Sequence, residues 1–132
     1  MDTGGFIASR NEDDDNYKVA NKIMKSILVN EYGKIYTSDY VFDEAVTLAL
    51  VRTKNRNFAI DIADYILKSK KINLVFTMPE DFYKAWEIFL KNKDKNMSFT
   101  DCIILNLIDK FEIKYIFSFD IHFDGVIERL CY

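Results

Sequence analysis

Two acidic residues, Asp101 and Glu44, fall on the apolar faces of predicted helices, where an ionised side chain is unexpected. On a helical wheel of about 100° per residue, Asp101 lies beside Leu105 and Ile108. The apolar residues that share a flank with Glu44 are Val41, Leu48 and Val51. An ionised carboxylate that faces a core costs free energy unless it is paired or bound to a metal. Neither stripe carries a Lys or Arg near its acid, so a cation from solution is the natural partner and a metal site is predicted.

The composition indicates one globular domain that covers residues 1–132, with 49% hydrophobic and 30% charged residues. The net charge of −3 argues against binding to nucleic acid through bulk charge. It leaves a nuclease open, because a metal ion supplies positive charge locally. The two cysteines form no CxxC pattern, no apolar run is long enough for a membrane span, and no signal peptide is evident. We therefore expect a cytoplasmic protein with reduced thiols.

Short apolar strands alternate with helices along the chain, which is typical of a parallel sheet covered on both faces. The pattern predicts strands over 34–37, 72–76 and 115–119. It predicts helices over about 13–32, 38–53, 55–69, 79–91 and 98–111. Residues 2–10 are predicted as a strand end or turn, and residues 122–130 as a last helix or turn.

Four acids fall where such a sheet binds ligands, beyond the carboxyl ends of its strands. Asp120 follows the strand 115–119, and Asp2 stands where a first strand would end. Asp101 and Glu44 occupy the first and second turns of their helices. Helices that enter from the strand ends would bring all four carboxylates to one rim, and hard divalent cations prefer such oxygen ligands.

Each acid also has a purely structural explanation. Asp101 fits a capping box with Ser98, and Glu44 could extend to solvent. Asp2 would be an exposed terminal residue and Asp120 a turn residue. The joint placement of the four, rather than any one of them, favours the metal site.

The segments around these acids, in their order along the chain, resemble the PIN-domain family and its VapC-type toxins. Asp2-Thr3 resembles the Asp-Thr/Ser of the family's first strand, and residues 36–44 (YTSDYVFDE) resemble the segment that carries its Glu. Residues 98–104 (SFTDCII) resemble its Ser/Thr-x-x-Asp helix start. Residues 118–123 (SFDIHF) are similar to its Thr-x-Asp-x-His-Phe, the most specific stretch.

The resemblance implies a three-layer α/β/α fold with a five-stranded, mainly parallel sheet. It implies an endoribonuclease that hydrolyses RNA phosphodiester bonds with Mg²⁺ or Mn²⁺ and acts as the toxin of a toxin–antitoxin pair. By the same resemblance, Asp2, Glu44, Asp101 and Asp120 would be the catalytic metal ligands. The side chains that would support them are Thr3, Thr100, Ser118 and Asp124.

The start of the chain departs from the family pattern, because several apolar residues precede the first Asp in the family and only Met1 precedes Asp2 here. We therefore expect a truncated first strand, a poorly anchored Asp2 and a loss of stability that an upstream apolar segment would restore.

An aromatic stripe near Pro79 indicates either ordinary packing or a surface that binds a protein. Its members are Phe82, Tyr83, Trp86 and Phe89. The second interpretation suits the antitoxin and the homodimer that the resemblance implies.

Two other functions compete with the ribonuclease. A non-catalytic PIN-like module that binds RNA or protein would retain the fold without metal-dependent cleavage. A receiver-like phospho-acceptor domain is disfavoured, because strand 72–76 ends in Thr77-Met78 without an acceptor Asp and no Lys follows strand 115–119. His122 is the only histidine, which excludes an acid/base ribonuclease with two histidines, and a supporting role is expected for it.

Overall fold

The computed structural model describes every residue from Met1 to Tyr132 and has the three-layer α/β/α fold that the sequence predicts. Its helices are α1 (Thr3–Arg10), α2 (Tyr17–Leu28), α3 (Asp39–Thr53), α4 (Arg56–Lys68), α5 (Pro79–Lys91) and α6 (Phe99–Lys110). Its strands are β1 (Ile35–Ser38), β2 (Ile72–Val75), β3 (Tyr115–Phe117) and β4 (Glu128–Leu130). A 3₁₀ turn over Ile121–Phe123 separates the last two strands. None of these helices combines the length and the hydrophobicity that a membrane-spanning helix requires.

The helix starts are determined by side chains that accept backbone N–H groups. At the start of α3 the Ser38 side chain accepts the Val41 N–H, and at the start of α4 the Asn55 side chain accepts the Phe58 N–H. Pro79 is the first residue of α5. The first N–H groups of a helix have no partner inside it. The two capping side chains supply a partner, and Pro79 has no N–H that needs one. The predicted bounds of α3, α4, α5 and α6 therefore agree with the structure to within one or two residues.

One predicted segment was wrong, and a second was wrong only in its last residues. Residues 2–10 form helix α1 rather than a strand end or turn, because Asp2 caps the helix and Phe6, Ile7 and Ala8 are buried on it. Residues 122–130 form the 3₁₀ turn and then strand β4, which pairs in parallel with β3. Helix α2 is also shorter than predicted, since it begins only after the turn around Asp14 and ends before Asn30, whose φ is 67°.

The hydrophobic core lies between the strands and the helices around them, and Phe6, Ile23, Ile62 and Ile116 are almost completely buried in it. A smaller apolar cluster (Ala85, Cys102 and Ile103) joins α5 to α6. Asp81 is buried beside it and is bound by Asn106 at 3.0 Å and Lys110 at 3.1 Å. Burial alone would raise the pKa of Asp81, but these donors and the Met78 N–H together lower it below its usual value. Asp81 is therefore a paired, structural carboxylate.

The four strands form two parallel pairs, β1 with β2 and β3 with β4, rather than the continuous five-stranded sheet that the resemblance implies. Met1 and Asp2 lie between the pairs. The Met1 α-ammonium donates to the Tyr36 carbonyl at 2.9 Å, and the Asp2 N–H donates to the Phe117 carbonyl at 3.2 Å. Met1 and Asp2 thus form hydrogen bonds to opposite strand pairs, as successive residues of a central strand do.

A groove of about 310 Å³ continues from Met1 between the two pairs, with apolar walls that include Ile27, Ile35, Ile113 and Phe117. The Met1 ammonium is buried at the end of this groove, and burial lowers its pKa to about 6. A peptide N–H would satisfy the Tyr36 carbonyl without burying a charge.

We predict that an extended Val/Ile-rich segment fused before Met1 raises the thermal stability. It would pair with both strand edges, fill the groove and remove the buried ammonium. A net stabilisation of about 2 kcal/mol corresponds to a rise in Tm of roughly 6–8 °C for a domain of this size. Differential scanning calorimetry measures it. A segment of equal length with Pro at alternate positions, which lacks the N–H donors for one strand edge, is the control; an equal Tm for both fusions and the parent chain would contradict the prediction.

Candidate metal centre

Asp2 is firmly held at the start of α1, so the expectation that it is poorly anchored was wrong. The residue is only 7% exposed, and its side-chain Oδ1 accepts the Gly5 N–H at 2.7 Å as the cap of α1. Ser118 donates its hydroxyl to Oδ2. Gly5 allows this close approach, because a Cβ there would lie 3.1 Å from the Phe117 carbonyl oxygen and 3.3 Å from Asp2 Oδ1.

Asp101 caps its helix and also lines the cavity shared by the other three acids. It completes a capping box, in which Ser98 Oγ accepts the Asp101 N–H at 3.1 Å and Asp101 Oδ2 accepts the Ser98 N–H at 2.9 Å. Its other oxygen accepts no hydrogen bond from the protein. The same side chain lines a cavity with the other three acids, so capping orients the carboxylate without using all of it.

Asp120 caps the 3₁₀ turn by accepting the His122 N–H at 2.9 Å, and its own N–H donates to Ser118 Oγ at 3.0 Å. Ser118 is fully buried and thus connects Asp2 to Asp120. Glu44 projects from the second turn of α3 and is half-buried, with no hydrogen bond to the protein.

These four carboxylates surround one cavity of about 180 Å³. Its remaining walls are Thr3, Gly4, Ile7, Leu48, Arg52 and Ile104. The acids come from the start of α1, the body of α3, the start of α6 and the segment after β3. The cavity is distinct from the more apolar groove that extends from Met1 between the strand pairs.

Burial and mutual repulsion raise the pKa values of the deepest acids. Burial is the largest cause for Asp101, and the nearby carboxylates of Asp120 and Glu44 raise its pKa further. Burial also dominates the raised pKa of Asp2, although the hydrogen bonds from Ser118 and Gly5 oppose it. No Lys or Arg forms an ion pair with any of the four acids.

His122 lies closer to the acids than the sequence indicated. Its Nδ1 is 2.9 Å from Asp120 Oδ1 but lacks hydrogen-bond geometry, so this buried ring nitrogen has no hydrogen-bond partner. One potential ligand atom each from Asp101, Asp120 and His122 lie within 4.8 Å of one another. Sequence spacing places His122 near Asp120, but only the folded 3₁₀ turn shows that it also lies near Asp101.

The four expected supporting residues occupy different environments. Ser118 contacts two of the acids, and the Thr3 hydroxyl is buried beside the cavity without a hydrogen-bond partner. Thr100 lies outside the cavity lining. Asp124 is exposed and pairs with Arg129 at 2.7 Å, which offsets its charge.

Arg52 is a wall residue that the sequence analysis missed. The prediction that no Lys or Arg lies beside the acids considered only the residues nearest to each acid on its helix. Arg52 is two helical turns beyond Glu44, and about 80° around the wheel, so it remains on the same side of α3. The spacing of Glu44, Leu48 and Arg52 at four-residue intervals is the sequence signal that could have identified Arg52.

Comparisons with known proteins identify the family and the fold of the chain. The sequence matches the PIN domain over residues 1–128, and the chain therefore belongs to the PIN domain family. The structure is similar to that of VapC20 from Mycobacterium tuberculosis, described as a Sarcin-Ricin loop cleaving toxin. The TM-score is 0.84 at 23% sequence identity, over 95% of this chain and 92% of VapC20, which shows a common fold. No curated protein matches the chain significantly.

The donor set fits a hard divalent cation. It offers carboxylate oxygens from four segments, no thiolate, and a buried Thr3 hydroxyl that has no hydrogen-bond partner. Mg²⁺ and Mn²⁺ prefer such oxygen ligands. A cation would also offset the repulsion that raises the pKa of Asp101.

We predict that Asp101→Asn stabilises the metal-free protein. Because the folded-state pKa of Asp101 lies above its ordinary value of 3.8, the folded chain binds this proton more tightly than the unfolded chain. The free energy of unfolding therefore falls as pH rises from that value through the raised pKa, and the penalty persists at neutral pH. Asn retains a cap acceptor and carries no charge, so we expect the Tm in EDTA at pH 7 to rise by a few degrees, an effect that solvent screening of this half-buried group limits.

Mn²⁺ should raise the Tm of the parent chain and have much less effect on Asp101→Asn, because a bound ligand stabilises only the state that binds it. Differential scanning fluorimetry measures both effects. Asp109→Asn, which changes an exposed acid on the same helix, is the matched control. A parent Tm that does not respond to Mn²⁺ would argue against the cation site.

Proposed function

We propose that this protein is a divalent-metal-dependent endoribonuclease, with Mg²⁺ or Mn²⁺ as cofactor, and that it acts as the toxin of a toxin–antitoxin pair. One observation carries the proposal: four carboxylates from four separate segments share one cavity without an ion pair to Lys or Arg. Membership of the PIN domain family and the fold shared with the toxin VapC20 support the reaction class.

In the proposed mechanism, Asp2, Glu44, Asp101 and Asp120 would hold the cation. When bound, the cation lowers the pKa of water and offsets the negative charge of a phosphate as it reacts. The protein's own contribution is orientation. The Gly5 N–H and Ser118 hydroxyl fix Asp2, the Ser98 N–H fixes Asp101, and the His122 N–H fixes Asp120. Fixed ligands need little rearrangement during the reaction.

The supporting residues differ in their proposed roles. Ser118 positions two of the metal ligands, and Thr3 offers a free hydroxyl beside them. His122 contacts Asp120, which suits a role in orienting that carboxylate. Thr100 remains a candidate only through its position next to Asp101, and Asp124 through its position after the 3₁₀ turn.

The partner proposals rest on the family and on one surface. Helix α5 exposes Phe82, Tyr83, Trp86, Phe89 and Leu90, all of them at least 40% exposed. Trp86 and Phe89 stack with ring centroids 5.7 Å apart, so their rings form one continuous apolar surface. Contiguous exposed apolar patches often mark protein interfaces. We propose that the chain forms a homodimer and binds an antitoxin, and that it functions in the cytoplasm.

The function is tested by incubating a mixed RNA pool with Mn²⁺ or Mg²⁺, with and without EDTA. We predict cleavage that needs the cation and falls at least ~100-fold in Asp101→Asn, because the loss of one ligand removes stabilisation of developing charge. Asp109→Asn should cleave at the parent rate. Cleavage that survives EDTA would contradict the metal mechanism. Binding of RNA by a folded chain that never cleaves it would favour the binding-module alternative.

A further inference from the structure

Arg52 lies on the wall of the acidic cavity, yet its guanidinium forms no ion pair and no hydrogen bond with the protein. The arginines with assigned contacts behave differently, since Arg129 pairs with Asp124 and Arg10 lies over the ring of Tyr65. Arg52 also borders an adjacent acidic depression of about 330 Å³ that contains Asp13, Asp14 and Asp15. An arginine with acids on two sides and no paired carboxylate keeps all five of its N–H donors available.

The backbone holds Arg52 in a defined position although its side chain is exposed. It occupies the last turn of α3, where the Lys54 N–H bonds to the Leu50 carbonyl at 2.8 Å and Thr53 Oγ1 bonds to the Ala49 carbonyl at 2.6 Å. Glu44, Leu48 and Arg52 follow one another at intervals of four residues and all line the cavity. Arg52 is thus about 12 Å from Glu44 along the helix axis.

This arrangement addresses a problem that the proposed substrate raises. RNA is a polyanion, whereas the chain has a net charge of −3 and four of the cavity residues are acidic. A cation among the carboxylates can offset charge only near the reacting phosphate. A second positive group is needed where the strand crosses the wall, and guanidinium matches a phosphate through two parallel N–H···O bonds.

We propose that Arg52 binds a phosphate of the RNA strand that neighbours the one being cleaved. The proposal rests on the ribonuclease function proposed above and extends it, because it gives the path of the strand: out of the acidic cavity and along the C-terminal half of α3. A single-stranded substrate fits this wall, since one flexible strand can follow the helix surface from the cavity to its end.

RNA binding, measured without cleavage, tests the phosphate contact of Arg52 separately from the proposed ribonuclease activity. Fluorescence anisotropy would be measured with a labelled single-stranded RNA ~12 nucleotides long, within the site sizes common for single-strand binding. The chain would carry Asp101→Asn to prevent cleavage, alone and combined with Arg52→Gln or Arg56→Gln. Arg56 is the matched control, because it is an exposed arginine without an ion pair and lies outside the cavity.

We expect Arg52→Gln to weaken RNA binding roughly five- to tenfold, the loss of one charge-assisted contact. The slope of log K against log salt should fall by about 0.7, the value for one phosphate contact on a single strand. Arg52→Lys should recover the salt slope but only part of the affinity. Arg56→Gln should change neither quantity.

Equal affinity and salt slope for the Arg52→Gln and Arg56→Gln chains would overturn the proposal, as would the absence of RNA binding by the Asp101→Asn chain. Cleavage by the parent chain is scored separately. If the parent never cleaves RNA but Arg52→Gln still weakens binding, the phosphate contact stands and the ribonuclease proposal fails. Unchanged Tm values for both arginine variants establish that the comparison reports on binding rather than folding.

Discussion

Mutual repulsion among Asp2, Glu44, Asp101 and Asp120 is the constraint on which the rest of the structure depends. Four carboxylates face one small cavity, where burial and then the charges of Asp120 and Glu44 disfavour ionisation of Asp101. A fold that opposed this repulsion with Lys or Arg would leave no room for a cation. Here the side chains of Asp2, Asp101 and Asp120 are held by neutral donors, namely backbone N–H groups and the Ser118 hydroxyl. These donors fix geometry and leave the negative charge of the site largely uncompensated.

The same contacts organise the fold locally. Asp2 caps α1, Asp101 completes the capping box of α6, and Asp120 caps the turn after β3. Each of these acids therefore stabilises the start of an element while its carboxylate faces the cavity. The N-terminus of a helix also favours a negative charge, which partly offsets the cost of burying the carboxylates. Structural and functional explanations of these acids are compatible, because a carboxylate has more lone pairs than a cap requires.

Much of the architecture could be predicted because local signals agreed with the tertiary structure. Ser38, Pro79 and Ser98 marked helix starts, and apolar runs marked β2 and β3. Helix α1 was missed because Gly4-Gly5 resembles a turn, whereas Gly5 is required for close approach to Asp2 and the Phe117 carbonyl. The pairing of β4 with β3 depends on contacts between strands that no three-residue pattern specifies.

The candidate site could likewise be predicted only in part from the sequence. The four acids were identified from their positions on predicted elements, and the structure brings them to one cavity. The bond from Ser118 to Asp2 joins opposite ends of the chain, so sequence spacing could not indicate it. Arg52 was missed because only the residues nearest each acid were considered, although helical periodicity places it on the same side of α3 as Glu44. His122 approaches Asp120 through the conformation of a short turn rather than through any periodic pattern.

The proposed function depends on one or more divalent cations that complete the acidic cavity. Electron paramagnetic resonance of Mn²⁺ at neutral pH measures this directly, because protein-bound and free Mn²⁺ differ in signal amplitude. A titration of the parent chain should show saturable binding that Asp120→Asn weakens by about 10- to 100-fold and that Asp109→Asn leaves unchanged. Free Mn²⁺ throughout the titration, or equal binding by the parent and Asp120→Asn chains, would contradict the account.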